Sequence, residues 1–322
     1  MSFPRLSSPA AGRMVASFAA VYLLWGSSYL AIHFALETLP PLLAAGMRFI
    51  TAGSLLYLLV RRGGARPPTR LHWRSTFITG TIMFCVANGS LMLGQRSIPS
   101  GVAATVNALV PLWFALLGWL WLAEDRLSPR VIIGLVTGFG GVALLVGPGE
   151  SAGTIDATGV LFVVFSTLSW TFGSLLSRKL PLPDSPLLTA AMNLLTGGIM
   201  LLLVSLLTGE IARLDVAAIS ARSVLAVLYL ALGPSLTGFS SYMWLLANAP
   251  ANRVATYGYV NPMIAVFLGW LLAGETLTPE TLLASIVIIA SVVLITTARK
   301  PKAAAAPPLT IRARLRALAQ RT

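Results

Sequence analysis

A single full charge stands inside an apolar run: Arg48, in the stretch PLLAAGMRFITAG at 41–53. A helix starting at Pro41 would bury it roughly 10 Å from its end. Inserting an arginine at that depth costs about 2.5–3.5 kcal/mol, so such residues face a bundle interior or a wet cavity rather than lipid. The guanidinium is a planar fork of donors that binds carboxylates two bonds at a time, and carboxylate recognition is one use for it here. The other use is as a counter-ion that pins two helices. Tyr29, His33 and Glu37 follow one another at intervals of four, on one helical stripe. His33 and Glu37 are therefore the possible charge partners of Arg48.

Polar groups elsewhere in apolar runs are further candidates to line a solute cavity: Asn88, Asn107, Asn193, Tyr242, Tyr257 and Asn261. Tyr257 and Asn261 are four apart and share a helical face. Trp25 and Trp170 lie too deep in their runs for an interfacial belt, so a pair of rings beside the substrate is a second expectation. Pro111 and Pro262 each remove a backbone donor and free a carbonyl one turn back, which predicts kinked helices along the cavity. Every one of these has a packing alternative, since Ser, Thr and Asn also join helices by hydrogen bonds and kinks also improve fit. Catalysis has little to work with. The chain has two histidines and one cysteine, Cys85, which exclude an internal disulfide and leave no metal-ligand spacing. No Asp or Glu falls deep in an apolar run, so proton coupling through a buried carboxylate is not written in the chain. No cofactor and no metal is expected.

The elements that must position these residues follow from composition. With 56% hydrophobic and 10% charged residues and a mean hydropathy of +0.82, the chain reads as a membrane protein. Runs of about 20 apolar residues predict ten spans: 14–36, 41–60, 75–95, 100–122, 130–147, 157–178, 186–207, 222–246, 253–273 and 279–298. The net charge of +13 is a topology signal rather than a nucleic-acid footprint. With the N-terminus inside, nineteen of the 23 Lys and Arg residues fall on the cytoplasmic side, three outside and Arg48 within a span. Both termini are then cytoplasmic. The run after Arg13 is too long for a secretory signal and reads as the first span.

The chain also repeats itself. PLLTAAMNLLTGG at 186–198 copies 41–53 at a distance of 145, with Asn193 in place of Arg48 and Trp170 in the register of Trp25. ATVNALVPLWFALLGWLWLAE at 104–124 copies as ATYGYVNPMIAVFLGWLLAGE at 255–275. Glu124 and Glu275 close these copies, ahead of Ser128-Pro129 and Thr278-Pro279, which read as helix caps, a gate at each mouth being the alternative. The expected organisation is a cytoplasmic tail at 1–13, five spans at 14–147, an outer linker at 148–156, five spans at 157–298, and a basic tail at 299–322. Because five is odd, the second set must cross the membrane inverted, and the basic loop RRGGARPPTRLHWR against its acid-bearing equivalent TGEIARLDVAAISAR agrees. Inverted repeats with a midplane site are a carrier architecture. The tail LTIRARLRALAQRT suits either a helix on anionic inner-leaflet lipid or a disordered basic segment.

The stretches YLLWGSSYLAI, GMRFITAG and VNPMIAVFLGWLLAGETLTP, set in paired five-helix halves, resemble the EamA-type branch of the drug/metabolite transporter superfamily. STLSWTFGSLLSRKLPLP is similar to its YedA-like group. The resemblance spans about 14–298 and implies an all-α, ten-helix carrier of the bacterial inner membrane. It implies export of amino acids, related metabolites or drugs by alternating access, with a small-molecule substrate, no nucleic acid and an undetermined oligomeric state. Nucleotide-sugar and phosphate-ester carriers share the superfamily, but a multivalent phosphate would want several cavity cations. A membrane-embedded enzyme acting on lipid is the alternative from another class.

Overall fold

The computed structural model describes residues 9–122, 127–146, 155–249 and 251–297, and all regular structure among them is helical. The principal helices are α1 (Gly12–Ala35), α2 (Pro41–Arg62), α3 (Arg70–Gly94), α4 (Ser100–Trp121), α5 (Pro129–Leu145), α6 (Ala157–Ser177), α7 (Pro186–Leu207), α8 (Ala221–Asn248), α9 (Tyr257–Ala273) and α10 (Pro279–Thr296). Among the described residues, eight are long and apolar enough to cross a membrane, and α5 and α9 are shorter apolar helices.

Three boundaries differ from expectation for local reasons. Helix α3 begins at Arg70 rather than 75, because Thr69 and His72 form a reciprocal cap that draws the basic stretch into the first turn. Helix α4 breaks at Ala108–Leu109, just ahead of Pro111. Helix α9 runs unbroken through Pro262, and its interruption falls instead at Ala255–Thr256, after a single turn at Ala251–Val254. The Thr278 hydroxyl accepts the Thr281 N–H, and that of Ser128 accepts the Val131 N–H, as helix caps. Glu124 and the tail from 299 lie outside the described residues.

The repeat is visible in the packing. A Cβ on Gly53 would stand 2.9 Å from the Leu195 backbone nitrogen. One on Gly198 would stand 2.9 Å from that of Ile50. Gly198 and Leu195 are the copies of Gly53 and Ile50, so this contact is reciprocal, as a two-fold axis requires. Gly46 meets Leu202 further along, so contacts descend α7 as they climb α2 and the two helices run antiparallel. The axis therefore crosses between them at right angles to the helices. Small residues let the backbones approach this closely. Helices α5 and α10 pair in the same way, with Gly134, Gly138 and Gly141 against Ile295, Ser291 and Ile288.

The eight helices other than α5 and α10 sort into two bundles that each mix the repeats. Helix α1 packs on α8 and α9, and α2 on α8. Their equivalents are α6 on α3 and α4, and α7 on α3. Each bundle contains one π-helical segment, Thr81–Asn88 in α3 and Ala231–Gly238 in α8, 150 positions apart. In both, a side chain reaches a carbonyl five residues back: Asn88 to Met83 and Thr237 to Leu232. Such wide turns are rare and recur at functional sites.

Candidate functional site

Arg48 is only 8% exposed. Its Nε donates to the Ser235 hydroxyl at 2.8 Å, and Ser235 sits in the π-helical segment of α8. Among the described residues, no carboxylate lies within 4.0 Å of the guanidinium and its outer nitrogens donate to no other residue. The expected partners are engaged elsewhere. Glu37 pairs with Arg222 at 3.1 Å, and the Arg222 guanidinium lies over the Phe34 ring at 3.7 Å. The His33 ring rests edge-on against Phe34. This corrects the expectation that either neutralises Arg48. Glu37 follows the last turn of α1, level with the first turn of α8, whereas Arg48 is two turns deep in α2.

Around Arg48 the first bundle supplies rings and hydroxyls. Tyr29, buried on α1, lies near Arg48, Tyr257 and, on the opposite bundle, Asn107. Asn107 stands one turn before Pro111, where α4 breaks. The Trp25 indole donates to the Pro234 carbonyl at 3.1 Å, directly beside Ser235. Its ring centroid is 5.0 Å from Tyr242 and 5.1 Å from Tyr257, and those two are 5.6 Å apart. At these separations the three rings fill one another's faces. They form one packed aromatic cluster. Asn261, on the Tyr257 face of α9, is 6% exposed and its Oδ1 has no partner. A buried amide oxygen without a donor costs about 1–3 kcal/mol, and a bound solute or water removes that cost.

The other candidates lie in the second bundle. Asn193 accepts the Thr79 hydroxyl at 2.7 Å, the Asn88 amide donates to the Met83 carbonyl, and Trp170 stacks edge-on to Phe84 at 5.5 Å. They tie α3 to α6 and α7, and Phe84 in turn stands edge-on to Phe49 at 5.1 Å, over whose ring the Arg48 guanidinium lies at 4.7 Å. The symmetry is close, because Phe84 is the counterpart of Pro234. Each deep tryptophan braces the π-helical segment of its own bundle. Tyr29 and Ser235 are site residues that were legible only as members of a stripe and of the polar stretch GPSLTGFSSYMW. No local signal marks Ser235, because its partner stands 187 positions away.

A tandem of five-helix units folded about an internal two-fold axis, with a buried cation and an unpaired amide between two bundles, has the form of a membrane carrier. Residues 13–147 and 157–297 each match the EamA-like transporter family, and the chain belongs to that family. It is 36% identical over 271 residues to the uncharacterized inner membrane transporter YedA of Escherichia coli K12, covering 84% of this chain and 86% of that one. The uncharacterized transporter YvbV of Bacillus subtilis is 26% identical, with 88% and 92% covered. A probable amino-acid metabolite efflux pump of Salmonella typhimurium is 25% identical, with 83% and 89% covered. One solved crystal structure shares the fold, with a TM-score of 0.60 at 19% identity over 88% of this chain and 97% of that one. The chain is thus a multi-pass inner-membrane protein of a transporter family.

Proposed function

We propose that this protein is a secondary transporter that exports amino acids or related carboxylate-bearing metabolites by alternating access. Ten spans cross the membrane as two inverted sets of five, with both termini in the cytoplasm, as the distribution of basic residues favours. The observation that carries the substrate reading is Arg48: a buried guanidinium over the Phe49 ring, with one side-chain hydrogen bond and no carboxylate partner among the described residues. An uncompensated buried charge is costly, and an anionic group on the substrate offsets that cost while the site is filled. Ser235 orients the fork by holding Nε, which leaves the terminal nitrogens for a bidentate carboxylate. Tyr29 and Asn107 face the same region from the two bundles, Asn261 offers an unpaired amide to a polar group of the solute, and Trp25, Tyr242 and Tyr257 floor the site. Binding that touches both bundles at once is what couples a solute to their relative movement. The relative named as an amino-acid metabolite efflux pump supports export of that class.

Counterflow in proteoliposomes with radiolabelled amino acids, comparing wild type with Arg48→Ala, tests the reading. Uptake of one class by wild type, lost in a variant that still inserts, is the expected result. Normal counterflow by a well-expressed Arg48→Ala protein would sink the role of Arg48. Failure of wild type on every amino acid would remove the substrate class.

A further inference from the structure

Two glycine–glutamate pairs end helices in the second repeat: LLTGE at 206–210 after α7, and LLAGE at 271–275 after α9. Both glycines take positive φ, +74° at Gly209 and +65° at Gly274, which turns the chain sharply back at the helix end. The glutamate that follows is thereby aimed at a neighbouring helix. The Glu275 carboxylate accepts the Ser100 N–H at 2.6 Å through one oxygen and the Gly101 N–H at 3.1 Å through the other. The Glu210 carboxylate, 9% exposed, accepts the Leu43 N–H at 2.9 Å and the Leu42 N–H at 3.3 Å, and also the Ser205 hydroxyl. These are first-turn amides of α4 and α2, which have no partner within their own helices.

The two contacts cross the molecule in opposite senses. Glu275 reaches from the α1, α2, α8, α9 bundle to α4 in the other, and Glu210 reaches back from the end of α7 to α2. Gln95 adds a third crossing at the same end, donating to the Tyr29 carbonyl at 3.0 Å. At the opposite end, Tyr22 bonds to Thr256 and Thr196 to the Thr76 carbonyl, each within one bundle. The counterpart of Gly209-Glu210 there is Gly64-Ala65, which keeps the positive φ, at +89°, and lacks the acid; that of Gly274-Glu275 is Ala123-Glu124, which lies outside the described residues.

We infer that Glu210 and Glu275 are the two arms of a releasable seal that closes the solute path at this end. Backbone amides at helix starts suit release, because water at the membrane surface replaces the carboxylate at small net cost. Deeper in the bilayer no such replacement exists. The two bundles can therefore part here without breaking a helix. The inference rests on the alternating-access reading and on the orientation that puts this end outside.

Thiol accessibility tests it without any substrate. In a Cys85→Ala background, a cysteine is introduced by Asn107→Cys, and its labelling by a membrane-impermeant maleimide is timed in intact cells and in inverted vesicles. The parent is expected to react slowly from outside. Glu275→Gln and Glu210→Gln should each raise the external rate about tenfold, since glutamine can accept one of the two amides but turns a donor toward the other. Glu275→Asp keeps the charge but is one methylene short, and should release the seal likewise. External rates unchanged in all three, in protein that still labels from the cytoplasmic side, would overturn the seal. Arg96→Cys, in the exposed loop before Ser100, reports which membrane face carries this end. An inverted orientation would move both signals to the vesicles, where the rise in rate still decides the matter.

Discussion

Replacing Arg48 by methionine separates a substrate ligand from a structural tie, because the two roles predict different changes in stability. Methionine keeps much of the length of the side chain and removes its charge. The relief on removing an arginine from the interior is about 2.5–3.5 kcal/mol on insertion scales. Against this stand the charge-assisted hydrogen bond to Ser235, worth about 1.5–3 kcal/mol, and the contact with the Phe49 ring, worth about 0.5–2 kcal/mol. The two sides nearly cancel, leaving a net change of no more than about 2.5 kcal/mol. Binding should change far more. Two charge-assisted bonds to a carboxylate, at about 1.5–3 kcal/mol each, correspond to an affinity loss of roughly 100- to 10,000-fold. The assays are thermal unfolding in detergent, followed by the fluorescence of the eight tryptophans, and counterflow in proteoliposomes. A Tm within several degrees of wild type together with lost counterflow is the expected pair. A Tm lowered by more than about 10 °C would refute the reasoning, since it would mean that Arg48 is a structural tie in the empty protein.

Gly198→Val should lower stability by about 1–3 kcal/mol or abolish insertion, because its side chain meets the Ile50 backbone nitrogen, which cannot move aside; expression and Tm report this. Asn261→Leu should leave Tm unchanged or raised, since the amide oxygen it removes has no partner, while substrate preference in competition assays shifts toward apolar solutes. Trp25→Phe, which keeps the ring contacts and drops the bond to Pro234, should cost about 0.5–1.5 kcal/mol in Tm measurements. At Asp156, the cap of α6, the Ser97 hydroxyl and then the Thr158 and Gly159 N–H groups hold the carboxyl below its usual range. A depressed value stabilises above the unfolded pKa and is lost as pH falls through the folded one. The Tm advantage of wild type over Asp156→Asn should therefore be present at neutral pH and close below about pH 4.

What the sequence made legible was set by the range over which each signal acts. Apolar runs and the copy of 41–53 at 186–198 are local patterns, and they anticipated the helices and the two equivalent halves of the chain. Arg48 stood out because a charge in an apolar run is expensive wherever it ends up. Its surroundings were not legible. Ser235 looks like any other hydroxyl in GPSLTGFSSYMW, and only the crossing of α2 with α8 brings it to Nε. Glu37 shared a stripe with Tyr29, but one more turn of helix carried it out to Arg222. Asn193, the copy of Arg48, meets Thr79 on α3 just as Arg48 meets α8, so the symmetry held for the contact and not for the chemistry. Glu210 follows a glycine in a loop that reads as an ordinary turn, and the amides it accepts lie 168 and 167 positions away.

The π-helical segments give the chain a tolerance in length that its other helices lack. A turn closed by i→i+5 bonds holds roughly one residue more than an α turn. Losing one residue from 81–88 or 231–238 restores a plain α turn and leaves the faces on either side in register. The same loss from the middle of α2 or α7 would swing everything beyond it by about 100° and carry Gly53 or Gly198 off the axis. The molecule thus stores a spare residue twice, 150 positions apart, in the two helices that hold Phe84 and Ser235. Single-residue deletions should be absorbed at those two points and rejected on the axis.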